Sequence, residues 1–282
     1  MPRPRRIRWL WLPGSVRLLT AFAAPWAKGA VLSSADLGGQ SDTRTLATVL
    51  GWLAAISLFA AGVITTLLQF DITASPPRET APNDLVEGTL ALFQNESDRW
   101  PQELASLLLF TLGFLALIGL VGLLRNAVGR DDPWMLLGTL AVGVGAGIGA
   151  AGQLLFLGAK EVGIDPHYCD CARAAEQIIS RGQALGMLEN AQRWLLVGTL
   201  VLAGAGLLLI WRGASNQGLF GPAWRGLTLA VALVLAVGAI AMVAEADILT
   251  AAFTGVGAAI LTPVWAVTTA RGLPAAPQEA LG

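Results

Sequence analysis

The single histidine and both cysteines of the chain lie close together in one short stretch. That stretch reads Asp-Pro-His-Tyr-Cys-Asp-Cys and covers positions 165 to 171. Side chains alternate between the two faces of an extended backbone, so every second residue here would share a face. Two thiolates, an imidazole and a carboxylate on one face would suit Zn²⁺, and the thiolates would also suit Cu⁺. The candidate metal ligands are Asp165, His167, Cys169 and Cys171.

Two other interpretations of this stretch remain open. Cys169 and Cys171 could form a disulfide across one residue, which closes a small, strained and easily reduced ring, or they could bridge to a second chain. The stretch could also be an ordinary turn, because one residue between the cysteines is tighter than the two-residue spacing of most zinc knuckles. The sequence therefore predicts three alternatives: a metal centre, a reactive disulfide or a structural turn.

The rest of the chain has the composition of a protein that crosses a membrane several times. Hydrophobic residues make up 55% of it and charged residues only 13%, whereas soluble domains carry about 25% charged residues. Six runs of at least 18 residues contain no ionisable side chain, and such a run can cross the ~30 Å hydrocarbon core of a bilayer. The sequence therefore predicts an all-α bundle of six transmembrane helices. The predicted spans are Leu46–Phe70, Leu104–Leu124, Met135–Ala159, Trp194–Trp211, Leu227–Ala244 and Ile248–Val267.

The last two predicted spans are separated only by Glu245, Ala246 and Asp247. One continuous helix through both would be about twice as long as the bilayer is thick. Basic residues favour the cytoplasmic side, and one stands on each side of the pair, at Arg225 and Arg271. Two cytoplasmic ends require an even number of crossings, so we predict a tight helical hairpin with the two carboxylates at its tip.

The distribution of basic residues predicts the orientation of the bundle. With the N-terminus inside, 12 of the 18 Lys and Arg residues fall in inner segments, as the positive-inside rule requires. We therefore expect both termini to be cytoplasmic. Among the basic residues Arg outnumbers Lys by 16 to 2, a usage typical of GC-rich bacterial genomes, which favours a bacterial inner membrane. The predicted organisation is a basic cytoplasmic or interfacial segment at 1–45, a membrane domain at 46–271 with long extracytoplasmic loops at 71–103 and 160–193, and a cytoplasmic tail at 272–282.

Tryptophan and glycine add predictions about packing. Seven of the ten tryptophans lie near span ends, where an apolar ring with a polar N–H is favoured at the membrane interface. The third span carries the small-residue pairs Gly143/Gly147 and Gly145/Gly149, which allow close approach of a helix from the same chain, from a second copy or from another membrane protein. We expect Gly147→Leu to destabilise the protein and Pro263 to kink the last span. The seven tryptophans near span ends are Trp52, Trp100, Trp134, Trp194, Trp211, Trp224 and Trp265.

The lack of ionisable residues in the spans narrows the function. Bis-histidine haem binding, intramembrane proteolysis and ion-coupled transport each need ionisable side chains in the bundle, so these classes are disfavoured. Gln153 is the most polar residue within a span. We expect it either to form a hydrogen bond between helices or to contact an uncharged solute.

Three functional hypotheses follow, and none requires a nucleic-acid partner. The first is a non-enzymatic membrane protein whose two long outer loops bind a partner or a small ligand. The second is a transporter or channel for an uncharged or hydrophobic solute. The third is a metal or redox protein that acts at its outer face through Cys169 and Cys171.

Overall fold

The computed structural model describes residues 40–69, 85–128, 132–164, 175–217 and 220–273. The chain divides into two units, Met1–Asp42 and Thr43–Gly282, and the contacts given below all lie within the second. Every regular element in the described ranges is helical. The elements are α1 (Gln40–Gln69), α2 (Leu85–Val128), α3 (Pro133–Ile164), α4 (Ala175–Gln217), α5 (Pro222–Val243), α6 (Asp247–Gly255), a π-helical segment (Val256–Leu261) and α7 (Thr262–Gly272).

The helices confirm an all-α bundle in which several helices are suited to spanning a membrane. Five of them, α1 to α5, are long and apolar enough to cross a bilayer. The π-helical segment joins α6 to α7 without a break, so these three elements form a sixth helical run of comparable length. Large apolar side chains point outward from the bundle, and Ile240 on α5 is 68% exposed. Such side chains suit contact with lipid, where apolar exposure carries no cost.

The six helical runs form a ring in which each run packs against its neighbours in sequence and the sixth run closes on α1. In this antiparallel arrangement one end of the bundle holds Thr65, Gln153 and Gln192, and we call it the mouth end. The opposite end holds Leu124 and Met135, and we call it the base end. The contacts that set the order are Thr65 with Ser106, Phe114 with Gly149, Gly138 with Gly206, Gly204 with Ala232, Thr228 with Trp265, and Ala270 with Gly51.

Small residues close the ring between α1 and the sixth run. A Cβ atom placed on Gly51 would lie 2.5 Å from the Cβ of Ala270, closer than two carbons can approach. At the same seam the Arg271 guanidinium lies 5.5 Å from the ring centroid of Trp52. The start of the first span and the end of the sixth therefore lie at the same end of the bundle, as an even number of crossings requires.

The glycines of α3 divide into two rows with different surroundings. A Cβ on Gly145 would lie 3.1 Å from the carbonyl oxygen of Thr199, and one on Gly149 would contact Phe114. Gly143 and Gly147 have no such neighbour within 4 Å in the described part of the chain. Two residues along a helix turn the side chain by about 200°, so the two rows face opposite ways. The prediction that Gly147 packs tightly is therefore wrong, whereas the prediction for the Gly145/Gly149 row is confirmed.

Two of the tryptophans near span ends are buried inside the protein. Trp265 is 1% exposed and Trp224 is 7% exposed. Trp265 Nε1 donates a hydrogen bond to Thr228 Oγ1, and Trp224 Nε1 donates one to Thr269 Oγ1, each at 2.9 Å. Threonine hydroxyls therefore accept the N–H bonds of these two side chains, which water or headgroups would accept at an exposed tryptophan.

The sixth run departs from α-helical geometry just before its proline. The Thr262 N–H donates to the carbonyl oxygen of Gly257, five residues back, which is the π-helical pattern. Pro263 follows immediately and has no N–H to donate to Ala259, four residues back. The proline predicted to disturb this span thus coincides with a local widening of the helix.

Candidate functional site

The predicted metal ligands cannot be placed, because Asp165, His167, Cys169 and Cys171 lie outside the described residues. Within the described ranges no group of three or more His, Cys, Asp or Glu residues is arranged to hold a metal ion. The interpretations of that stretch as a Zn²⁺ or Cu⁺ site, a disulfide or a turn therefore stay predictions.

A cavity of about 200 Å³ lies at the centre of the helical ring. All six helical runs contribute to its wall, so it is a property of the whole bundle and not of one pair of helices. Each run contributes at least one wall residue; one example per run, in chain order, is Leu58, Phe114, Ala146, Ala203, Leu235 and Ala258.

None of the described residues in the wall of this central cavity has an ionisable side chain. Its polar groups are the amide of Gln153 and four threonine hydroxyls, and that of Thr199 donates a hydrogen bond within its own helix, to Leu195 O at 2.9 Å. An ionised ligand would lose its hydration here without gaining an opposite charge. The cavity therefore suits an uncharged and mainly apolar molecule.

A second cavity, of about 320 Å³, adjoins the first at the mouth end. The two share four wall residues, which are Thr65, Phe110, Gln153 and Leu196. The second cavity adds Arg99, Glu103, Ser106 and Gln192, and we call it the mouth cavity. Polarity therefore rises from the centre of the bundle toward the mouth end.

Hydrogen bonds between helices hold the boundary between the two cavities. Gln192 Nε2 on α4 donates to Gln153 Oε1 on α3 at 3.3 Å, and Gln153 is 4% exposed. The hydroxyls of Thr65 and Ser106 lie 2.7 Å apart and link α1 to α2. The predicted interhelical hydrogen bond of Gln153 is confirmed, and the same side chain also lines both cavities.

The base end of the bundle is closed below the central cavity. Leu120, Leu124, Met135 and Ile210 are fully buried there and belong to one continuous hydrophobic core. Buried apolar side chains of this kind leave few voids larger than a water molecule. The central cavity therefore has its polar approach at the mouth end and a packed floor at the base end.

Arg193 fixes the hairpin between α5 and α6 at the mouth end. Its Nε donates to the carbonyl oxygen of Met242 at 3.2 Å, where α5 ends, and its Nη2 bonds the same oxygen. Its Nη1 lies 3.5 Å from Glu245 Oε1, on a carboxylate whose side chain is 80% exposed. Glu245 has a left-handed backbone, with φ of 55°, as is common where a helix ends. Because Met242 also lines the central cavity, this contact ties the hairpin to the cavity wall.

The cavities were not predicted from the sequence, although one signal was present. Alanines at positions 146, 203 and 258 leave space at the ring's centre that larger side chains would fill. Alanine is frequent throughout the chain, so only the packing of six helices reveals which alanines face inward.

Comparisons with protein-family models, with curated proteins and with solved structures find no match to this chain.

Proposed function

We propose that this protein is a non-enzymatic receptor or carrier that binds an uncharged, mainly apolar small molecule inside its transmembrane bundle. One observation supports the proposal above all: a central cavity is walled by all six helical runs, its described wall residues include no ionisable side chain, and it adjoins a polar mouth. Ligand sites in proteins are typically concave and mostly apolar, with a few polar groups that fix orientation.

A ligand gains more binding free energy when it comes from water than when it comes from the bilayer, which favours entry through the mouth. A molecule that leaves water gains about 25 cal/mol for each Å² of apolar surface it buries. A molecule that leaves the bilayer gains little by this route, because lipid tails are as apolar as the cavity wall. A cavity with a polar mouth and a closed base therefore serves best as a trap for a ligand that arrives at the mouth end.

The distribution of charge supports an extracytoplasmic mouth. Among the helical residues, Arg44, Arg125, Arg212, Arg225 and Arg271 belong to the base end, whereas Arg99, Lys160, Arg181 and Arg193 belong to the mouth end. Under the positive-inside rule the base would face the cytoplasm of a bacterial cell and the mouth would face outward. Carriage across the membrane would additionally require the packed base to open, so binding is the primary activity that we propose.

Photolabelling with a medium-chain alkane that bears a diazirine tests the site directly. The wild-type protein in detergent should be labelled on residues that face the central cavity. Ala203→Phe should lower this labelling at least about tenfold, because the phenyl ring permanently occupies the space that the probe needs. Ala205→Phe is the matched control, because Ala205 lies on the same helix and faces outward.

Labelling confined to outward-facing residues, or equal labelling of the interior in Ala203→Phe, would overturn the proposal. Thermal unfolding of both variants shows whether each one is folded, so that a loss of labelling is not caused by misfolding. Leu200→Ala, which enlarges the cavity, should allow labelling by a bulkier branched probe that the wild type excludes.

A second candidate function concerns the mouth end itself. Helices α2 and α4 begin at Leu85 and Ala175 and so continue well beyond the apolar stretches that start at Leu104 and Trp194. These helical extensions favour the hypothesis of an outer cap that binds a partner. Removal of residues 175–188 should abolish capture of such a partner and leave interior photolabelling intact.

A further inference from the structure

We propose that the ligand is an uncharged amphiphile, an alkyl chain with a hydroxyl headgroup, whose chain occupies the central cavity and whose hydroxyl binds at the mouth cavity. This inference rests on the proposed function and specifies its ligand class. The two cavities share part of their wall, so a single molecule can extend from one into the other.

The paired amides of Gln153 and Gln192 present both a donor and an acceptor. One bond joins Gln192 Nε2 to Gln153 Oε1, which leaves the N–H groups of Gln153 and the carbonyl oxygen of Gln192 for other partners. If both amides were turned over, the bond would run in the opposite direction and would again leave one donor group and one acceptor. A headgroup at this boundary can therefore both accept and donate a hydrogen bond.

The paired hydroxyls at the same boundary act as acceptors. Ser106 Oγ donates to the carbonyl oxygen of Ala61 at 3.3 Å, so the hydrogen bond between the two hydroxyls uses the proton of Thr65. Both hydroxyl protons are then engaged, and lone pairs remain on the oxygens. A ligand hydroxyl can donate to such an oxygen, whereas a carboxylate or a phosphate ester has only acceptors to offer.

The charges at the mouth cavity do not favour an anionic headgroup. Arg99 and Glu103 both line it and their formal charges cancel. Each already interacts with another group of the protein. An anion placed here would meet the carboxylate of Glu103 and the acceptor oxygens of Thr65 and Ser106. A fatty-acid anion is therefore disfavoured relative to the alcohol of the same chain length.

Three probes with the same diazirine-bearing chain test this inference on the wild-type protein. They are the alkane, the primary alcohol and the carboxylate at neutral pH, where the acid is ionised. The alcohol should label the cavity residues at a concentration about tenfold lower than the alkane, because one or two hydrogen bonds to its hydroxyl add about that much binding affinity. The carboxylate should label them least. Equal labelling by alcohol and alkane, or stronger labelling by the carboxylate, would overturn the inference while leaving the proposed function intact.

Gln153→Leu locates the headgroup. It should abolish the preference for the alcohol, measured as the ratio of alcohol to alkane labelling in the same variant, because it replaces the amide with an apolar side chain. Gln183→Leu, at an exposed glutamine of α4, should leave this ratio unchanged. An alcohol preference that survives Gln153→Leu would refute the placement of the hydroxyl. If no probe labels the interior of the wild type, the proposed function fails and the inference fails with it.

Discussion

The base end and the mouth end of the bundle are built from the same six helical runs, but their interiors are filled differently. At the base Leu124, Met135 and Ile210 are fully buried and pack into a continuous core. Toward the mouth the interior side chains, among them Ala146, Thr199 and Leu196, border two adjoining cavities. The difference indicates that stability is concentrated at one end of the bundle and space for a ligand at the other.

Truncation of one leucine at each end should produce the largest contrast. Leu124→Ala at the base should lower the free energy of unfolding by about 2–5 kcal/mol, because it creates a void in a packed core. Leu196→Ala at the mouth should cost less than about 2 kcal/mol, since its side chain already borders empty space. Chemical denaturation in detergent measures both values. Equal losses would contradict the distinction between a packed base and a hollow mouth.

A leucine on each glycine row of α3 should give the next largest contrast. A Cβ on Gly138 would lie 2.7 Å from the carbonyl oxygen of Gly206, so Gly138→Leu must force α3 and α4 apart. Overfilled sites of this kind typically cost about 1–3 kcal/mol. Gly147→Leu meets no described atom of the chain and should leave the thermal midpoint in detergent unchanged.

A lower midpoint for Gly147→Leu would show that the Gly143/Gly147 row is covered by a second molecule. Size-exclusion chromatography then distinguishes a lost contact between two chains from a packing defect within one chain. The Gly147→Leu variant would lose a dimer, whereas the Gly138→Leu variant would be less stable but its folded fraction would keep the oligomeric state of the wild type.

The smallest contrast lies within the hairpin contact at the mouth. Glu245→Gln should change stability by less than about 1 kcal/mol, because exposed ion pairs contribute little. Arg193→Gln also removes the hydrogen bonds to the carbonyl oxygen of Met242 and should cost more, about 1–2 kcal/mol. Thermal unfolding at low and high salt separates the two, and an effect of Glu245→Gln as large as that of Arg193→Gln would contradict this assignment.

The sequence predicts the spans well because hydropathy and length are local properties of the chain. The hairpin tip at Glu245 and the disturbance near Pro263 were also predictable from local chemistry. The environment of each side chain was not, since it depends on how six helices are rotated against one another. Helical periodicity separates Gly145 from Gly147, yet only the packing shows that Gly145 faces α4. The same holds for Trp265, whose N–H partner Thr228 lies on a different helix.

The central cavity also has a consequence for the volume of the protein. An apolar void of about 200 Å³ is occupied by fewer atoms than a packed core of that size, and unfolding eliminates it. Hydrostatic pressure favours the state of smaller volume, and the volume change of unfolding scales with the void that is lost. Pressure should therefore separate the helices around the mouth before it affects the base. A molecule that fills the void would raise the pressure that the bundle withstands.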